Sequence, residues 1–260
     1  DYSKAKDWYE SKAKYWYEKA AEQDHARAQF NLGVMYYHGQ GVDQEYSEAK
    51  KLFEAKKLFE AAEKKNHQGA QYYLGLMYYH GLGVDQSDSN AREWYEKAAK
   101  QGHAKAQSNL GSMYYNGDGV NQNYPKARDW YMMAADQGDA QGQYNLGVLY
   151  QQGHGVIQDL SKASELYKKA ADQGNAIAQY YLGLMYRDGQ GVDQSYATAR
   201  EYWKKAAVQE YTPAIEELEK NRGGKRTIHK RNKTRLGTRK KNKNKNKNKN
   251  FSTRNSHGRK

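Results

Sequence analysis

Between residues 103 and 138 the apolar side chains fall into two stripes. Ala106, Leu110, Met113 and Tyr114 stand at i, i+4, i+7 and i+8, and after a polar, glycine-containing gap Ala127, Trp130, Tyr131, Ala134 and Ala135 form a second set. Spacings of three and four place each set on one face of a helix, so the pattern predicts one helix over about His103 to Asn116 and another beginning after Asn123. Gly117 is placed to end the first in a left-handed cap, with Gly119 shortly after it. Asn123 is placed to cap the second, and Pro125 falls in its first turn, where a missing donor does no harm. Gly111, inside the first helix, costs ~1 kcal/mol relative to alanine. Its presence predicts that another backbone approaches closely there.

The same pattern opens at Leu32, Leu74, Leu110, Leu146 and Leu182, with spacings of 42, 36, 36 and 36 residues. Gly33, Gly75, Gly147 and Gly183 recur at the Gly111 position, and Ser87, Asp159 and Ser195 at the Asn123 position. Self-similarity at such a period marks a stacked-repeat architecture. Neither helix of a pair can bury its stripe alone, so the chain reads as all-α, an α-solenoid of antiparallel helix pairs. The expected organisation is a half repeat over 1–24 (a second helix only), repeats over 25–66, 67–102, 103–138, 139–174 and 175–210, a capping helix over 211–221, and a tail over 222–260.

Two duplications interrupt the regularity. Residues 3–10 recur almost letter for letter at 11–18, which leaves Trp8 and Tyr9 either as an exposed aromatic end for a partner or as a frayed cap. Lys50 to Ala55 is repeated as Lys56 to Ala61, which accounts for the single 42-residue spacing. Six residues turn a helix by about 600°, so the copies are about 120° out of phase. One long helix from roughly Tyr46 to Lys65, with Leu52, Ala55, Phe59 and Ala62 as a compromise buried row and Phe53 or Leu58 displaced, is the preferred account; a looped-out copy is the alternative. Deletion of 50–55 is expected to restore the period and raise thermal stability.

Charge separates the chain into two parts. Residues 221–260 hold 17 Lys and Arg and no acid, so that segment carries +17 while residues 1–220 carry −4, which together give the net +13. A segment with so little to bury is expected to be disordered. It offers charge-driven, salt-sensitive binding to nucleic acid or another polyanion, and basic clusters in Lys225 to Lys241 that would suit a nuclear address; merely solvated low-complexity sequence is the other reading. Phe251 alone gives no base-stacking platform. There is no Cys, no apolar run long enough to span a membrane, and no visible signal peptide, although the chain begins at Asp1 in mid-repeat. An intracellular, cytoplasmic setting is the expectation.

The string A-x-A-Q-Y-x-L-G-x-M-Y-x-x-G-x-G-V-x-Q, continued by K-A-x-x-W-Y-x-K-A-A-x-Q-G, resembles the Sel1-like repeat, a relative of the tetratricopeptide repeat, and covers residues 1 to about 220. Near-identical tandem units joined to an Asn/Lys-rich tail also resemble members found in giant DNA viruses of amoebae. The resemblance implies a right-handed superhelix that serves as an adaptor or scaffold for proteins, its concave face lined by the first helices. No cofactor is expected.

Chemistry is sparse by comparison. The Gly-x-Gly units, such as Gly39 to Gly41, end helices rather than following strands, so they are turns and not phosphate loops. His25, His67 and His103 recur at starts of first helices and His38 and His80 at ends; equivalent positions one layer apart (~10 Å) are too distant to share a metal. No catalytic constellation stands out, and a non-enzyme is expected. Each first helix has a second face opposite its buried stripe: Lys105, Ser108, Asn109, Ser112 and Tyr115 in the central unit, and Gly69, Tyr72, Tyr73, Leu76 and Tyr79 in the one before it, which is too apolar for a plain solvent face. On the family analogy Asn31, Tyr37, Tyr73, Tyr79, Asn109, Tyr115, Asn145 and Tyr181 are expected to contact a peptide or protein partner. Tyr72 and Tyr180 have packing between repeats as an equal alternative.

Overall fold

The computed structural model describes residues 2–41 and 47–220. Twelve helices and no strand occur among these residues: α1 (Tyr2–Glu22), α2 (Ala26–His38), α3 (Glu48–Glu63), α4 (Gln68–His80), α5 (Asp88–Lys100), α6 (Ala104–Asn116), α7 (Tyr124–Asp136), α8 (Ala140–Gln152), α9 (Leu160–Asp172), α10 (Ala176–Asp188), α11 (Tyr196–Val208) and α12 (212–220). From α2 onward they pair as first and second helices, and each pair packs on the next, giving an α-solenoid.

Both helix ends of the repeat follow from local chemistry. Gly117 adopts φ +90° and its N–H returns to the Met113 carbonyl, closing α6 with a left-handed cap. Asn123, Ser87, Asp159 and Ser195 each accept a hydrogen bond from the backbone N–H three residues on. The Gln of the G-V-x-Q string reaches back to the preceding helix: Gln122, Gln158 and Gln194 donate to the carbonyls of Tyr115, Gln151 and Arg187 at 2.7–2.8 Å.

The helix-interior glycine has a different cause from the one expected. A Cβ on Gly111 would lie 2.6 Å from a ring carbon of Tyr131, one on Gly75 2.5 Å from Tyr95, and one on Gly147 2.8 Å from Tyr167. What presses on it is the buried aromatic ring of the second helix, not backbone. Backbone does come close at the second glycine of Gly-x-Gly, where a Cβ on Gly119 would meet the Asp88 carbonyl carbon at 2.8 Å. That contact locks each loop onto the start of the previous second helix.

The duplicated segment is one continuous helix, α3 (Glu48–Glu63), capped by Ser47. Leu52, Ala55, Phe59 and Ala62 are buried, and Phe53 is 61% exposed. The register is not a compromise: Phe59 sits against Gly33 as Tyr95 sits against Gly75, so the second copy holds the repeat position. The first copy lengthens the helix toward its N-terminus, and Leu52 packs under Gly83.

A polar ladder with one buried Gln in each rung runs through the repeats. Gln101 donates to Gln71 (2.6 Å), Gln137 to Gln107 (2.7 Å), Gln173 to Gln143 (2.8 Å) and Gln209 to Gln179 (3.0 Å). Gln107, Gln143 and Gln179 in turn donate to the carbonyls of Ala99, Ala135 and Ala171. A buried amide left unpaired costs ~1–3 kcal/mol; each Gln–Gln rung ties the two helices of one repeat, and the bonds to Ala99, Ala135 and Ala171 tie that repeat to the one before it.

Candidate functional site

All eight residues expected at a binding face lie on first helices, and all are half-buried: Asn31 and Tyr37 on α2, Tyr73 and Tyr79 on α4, Asn109 and Tyr115 on α6, Asn145 on α8, Tyr181 on α10. Contacts run from one first helix to the next. The Tyr37 and Tyr73 rings meet edge to face at 5.2 Å, and Asn145 Nδ2 donates to Ser112 Oγ at 3.4 Å. Tyr144 and Tyr181 lie 5.8 Å apart. Between α6 and α8 a depression of about 220 Å³ is lined by Ser112, Tyr115, Tyr131, Tyr144, Asn145 and Val148. At the N-terminal end a larger one of about 450 Å³ gathers Tyr9, Tyr17, Phe30, Asn31, Val34 and Tyr73 between α1, α2 and α4.

The expected residues differ in how tied they are. Tyr73 stacks on Phe59 at 5.0 Å and its hydroxyl is 3.4 Å from His38 Nε2. Tyr79 donates to Asp118 at 3.3 Å, and Tyr115 to Gln152 at 2.8 Å, so these two rings also bridge neighbouring repeats. Asn109 lies beside Tyr72 and Tyr95. Burial pushes the phenols of Tyr37, Tyr73, Tyr79 and Tyr115 up, and Tyr72 up to about 12, so all stay neutral donors at ordinary pH. The face offers rings, hydroxyls and carboxamides, the groups that accept an extended or helical peptide.

Several neighbours named with this face do other work. Ser108 and Gly69 are buried, Gly69 under the Phe30 ring. Gly69 thereby faces the preceding repeat, because a first helix in a solenoid packs on more than its own partner. Tyr72 stacks on His103 at 4.6 Å and Tyr180 lies 5.5 Å from Tyr211, so both rings pack between repeats. Trp8 and Tyr9 are exposed on α1, which is continuous through both copies of the eight-residue duplication. His67 and His103 are helix caps: each Nδ1 accepts a backbone N–H, from Ala70 (3.3 Å) and Ala106 (3.2 Å). Among the described residues no group of three or more His, Asp or Glu could hold a metal ion.

Six tandem matches to the Sel1 repeat cover residues 10–25, 26–67, 69–103, 104–139, 140–175 and 176–209. The chain belongs to the Sel1-repeat family. A Sel1-repeat protein of Oxalobacter formigenes is 32% identical with a TM-score of 0.68, over 75% of this chain and 76% of that one. A protective antigen of uropathogenic Escherichia coli strains with an SLR fold is 37% identical with a TM-score of 0.66; the match covers 78% of this chain but spans only 42% of the antigen. A search of curated proteins gave no match. Sel1-repeat proteins are in general protein–protein interaction scaffolds, and the fold is typically non-enzymatic. Among the described residues no helix is long and apolar enough to cross a membrane. The basic segment 222–260 and the link 42–46 lie outside the described residues.

Proposed function

We propose that this chain is a non-enzymatic scaffold that binds a peptide or protein partner along its first-helix face, with Asn31, Tyr37, Tyr73, Tyr79, Asn109, Tyr115, Asn145 and Tyr181 as the contact residues. The observation that carries the reading is the succession of half-buried rings and carboxamides from α2 to α10, linked helix to helix by the Tyr37–Tyr73, Tyr72–Asn109, Ser112–Asn145 and Tyr144–Tyr181 contacts. A row of neutral donors and acceptors over aromatic walls suits the alternating backbone and side chains of a peptide better than it suits a charged ligand.

The test uses peptides selected by display on the full chain. Binding should fall at least tenfold in Asn109→Ala/Asn145→Ala, with unfolding unchanged, and should survive deletion of residues 221–260. The reverse pattern, loss on deletion with none on the double substitution, would support the second reading: charge-driven capture of nucleic acid or another polyanion by the segment 222–260, whose 17 basic residues face no acid in the same segment. Heparin retention that weakens steeply with salt would accompany that outcome.

A further inference from the structure

Where the repeats are so alike, the positions that break the pattern are informative when they converge in space. Met132 occupies a place held by Glu60, Glu96, Lys168 and Lys204 in the other repeats, and Ile157 a place held by Asp85, Asn121 and Asp193. The two come from different repeats, yet they line one cleft of about 660 Å³ between α7, the loop after α8 and the start of α9. Ile157 is 91% exposed and Met132 41%, with Met133 beside it at 49%. The corresponding junctions elsewhere place a charge at one of these positions and an Asp or Asn at the other.

The cleft is built in advance. Arg128 Nη1 donates to the Gly155 carbonyl at 3.3 Å, and Gln158 Nε2 to the Gln151 carbonyl at 2.7 Å. A Cβ on Gly155 would lie 2.7 Å from the Tyr124 carbonyl carbon, so the loop is held against α7. The rim charges pair among themselves, Arg128 with Asp129 at 2.6 Å and Lys162 with Asp159 at 3.8 Å, which leaves an apolar floor inside a rim without net charge. No residue of the cleft belongs to the first-helix face.

We propose that this cleft is a second, separate docking site that takes a short peptide through one or two uncharged aliphatic side chains. The neutral rim argues against a charged anchor. The size argues against a second copy of the chain: a few apolar side chains fall well short of the roughly 800 Å² per partner of a stable protein interface, whereas the volume is within the ~300–1,000 Å³ of pockets that hold small ligands.

The methionines supply the probe. Met132 and Met133 are the exposed ones, while Met77, Met113 and Met185 are buried. With ¹³C-methyl methionine in the full chain and acetyl-Leu-Leu-amide as the probe ligand, titration should move the Met132 methyl saturably and leave the Met77, Met113 and Met185 methyls still. Ile157→Asp, which installs the residue of the other repeats and should leave thermal unfolding unchanged, should weaken that titration at least tenfold. An identical titration in the variant, no saturation up to the solubility of the probe, or Met132 shifts that follow chain concentration without any peptide, which would point to a second copy, each overturns the proposal.

Discussion

The first repeat and the third have the same parts but differ where two of those parts meet. In the third, α6 and α7 are 13 residues each, Tyr131 fills the space over Gly111, and Gln137 closes the ladder onto Gln107. In the first, α3 has 16 residues, Phe59 fills the space over Gly33, but Lys65 stands where the closing Gln would be. Lys65 turns instead to Asp24, whose carboxyl it holds below the usual range together with Gln29, and the Gln29 Oε1 is left buried without a hydrogen bond. The difference shows which end of a second helix is fixed. Its C-terminal half is locked by the aromatic ring, the alanines and the junction to the next repeat; its start can grow by a turn, and the first copy of the duplication has done so.

That assignment is most strongly exposed to Phe59→Ala and Phe53→Ala. Removing the fully buried Phe59 should cost about 3–5 kcal/mol, because a ring-sized cavity opens over Gly33, while the exposed Phe53 should cost under about 0.5 kcal/mol. Chemical denaturation of both variants measures this. Equal losses would mean that both copies share the groove.

How much of this was legible depends on how local the cause is. Helix ends were readable because Gly117, Asn123, Ser87, Asp159 and Ser195 act within three or four residues. The buried row of α3 followed from spacing alone. The role of Gly111 was half readable: its cost is local, but whether a ring or a backbone presses on it depends on the partner helix. Ser108 was misplaced because one helix wheel cannot show that two of its faces are covered. The glutamine ladder was visible as the letters of A-x-A-Q and x-Q-G at constant spacing, yet a polar letter in a repeat does not announce that it is buried. Met132 and Ile157 would have emerged from laying the repeats over one another and asking which departures are neighbours.

The junctions also differ along the solenoid in what caps the first helix. His67 and His103 do so with Nδ1 in the N-terminal part, while Asp139 and Asn175 do so in the C-terminal part. Burial lowers both imidazoles, His67 with help from Arg27 and His103 from Lys105, with Asp139 acting against this at His103. A base held neutral by the fold contributes stability that is fully present above its unfolded pKa, about 6.5, and is lost as pH falls through that value toward the lowered folded one. Each lost cap removes about 1 kcal/mol. Acidification from about pH 7 to 5 should therefore lower the unfolding midpoint of the chain, and His67→Asn/His103→Asn, copying Asn175, should flatten that limb. An unchanged pH profile in the double variant would show that the caps do not titrate in this range.

The broken rung gives a smaller and opposite effect. Lys65→Gln places a carboxamide where Gln101, Gln137, Gln173 and Gln209 stand, able to donate to the orphaned Gln29 Oε1. One net hydrogen bond to a buried acceptor contributes about 1 kcal/mol, so the variant should be more stable by about that amount. Gln107→Ala provides the contrast, since it removes an intact rung and should be destabilising. If Lys65→Gln lowers the midpoint instead, the Lys65–Asp24 contact matters more to the first junction than a closed ladder does.

Deleting residues 50–55 should have the smallest effect, because its consequences nearly cancel. With the second copy already in register over Gly33, removal of the first leaves Phe59 and Ala62 where they are, and Ala49 moves into the place of Ala55. What is lost is Leu52, buried under Gly83; Tyr46 would take its position, and the exposed Phe53 would go. Exchanging one large apolar contact for another while shortening α3 moves stability by under about 1 kcal/mol, since apolar burial changes by only a few tens of Å² at ~25 cal/mol per Å². The larger gain expected from the period alone assumed that the two copies compete for one groove. A loss of several kcal/mol on deletion would show that the extra turn of α3 is what the Gly83 loop packs upon, and that the first two repeats depend on it as a unit.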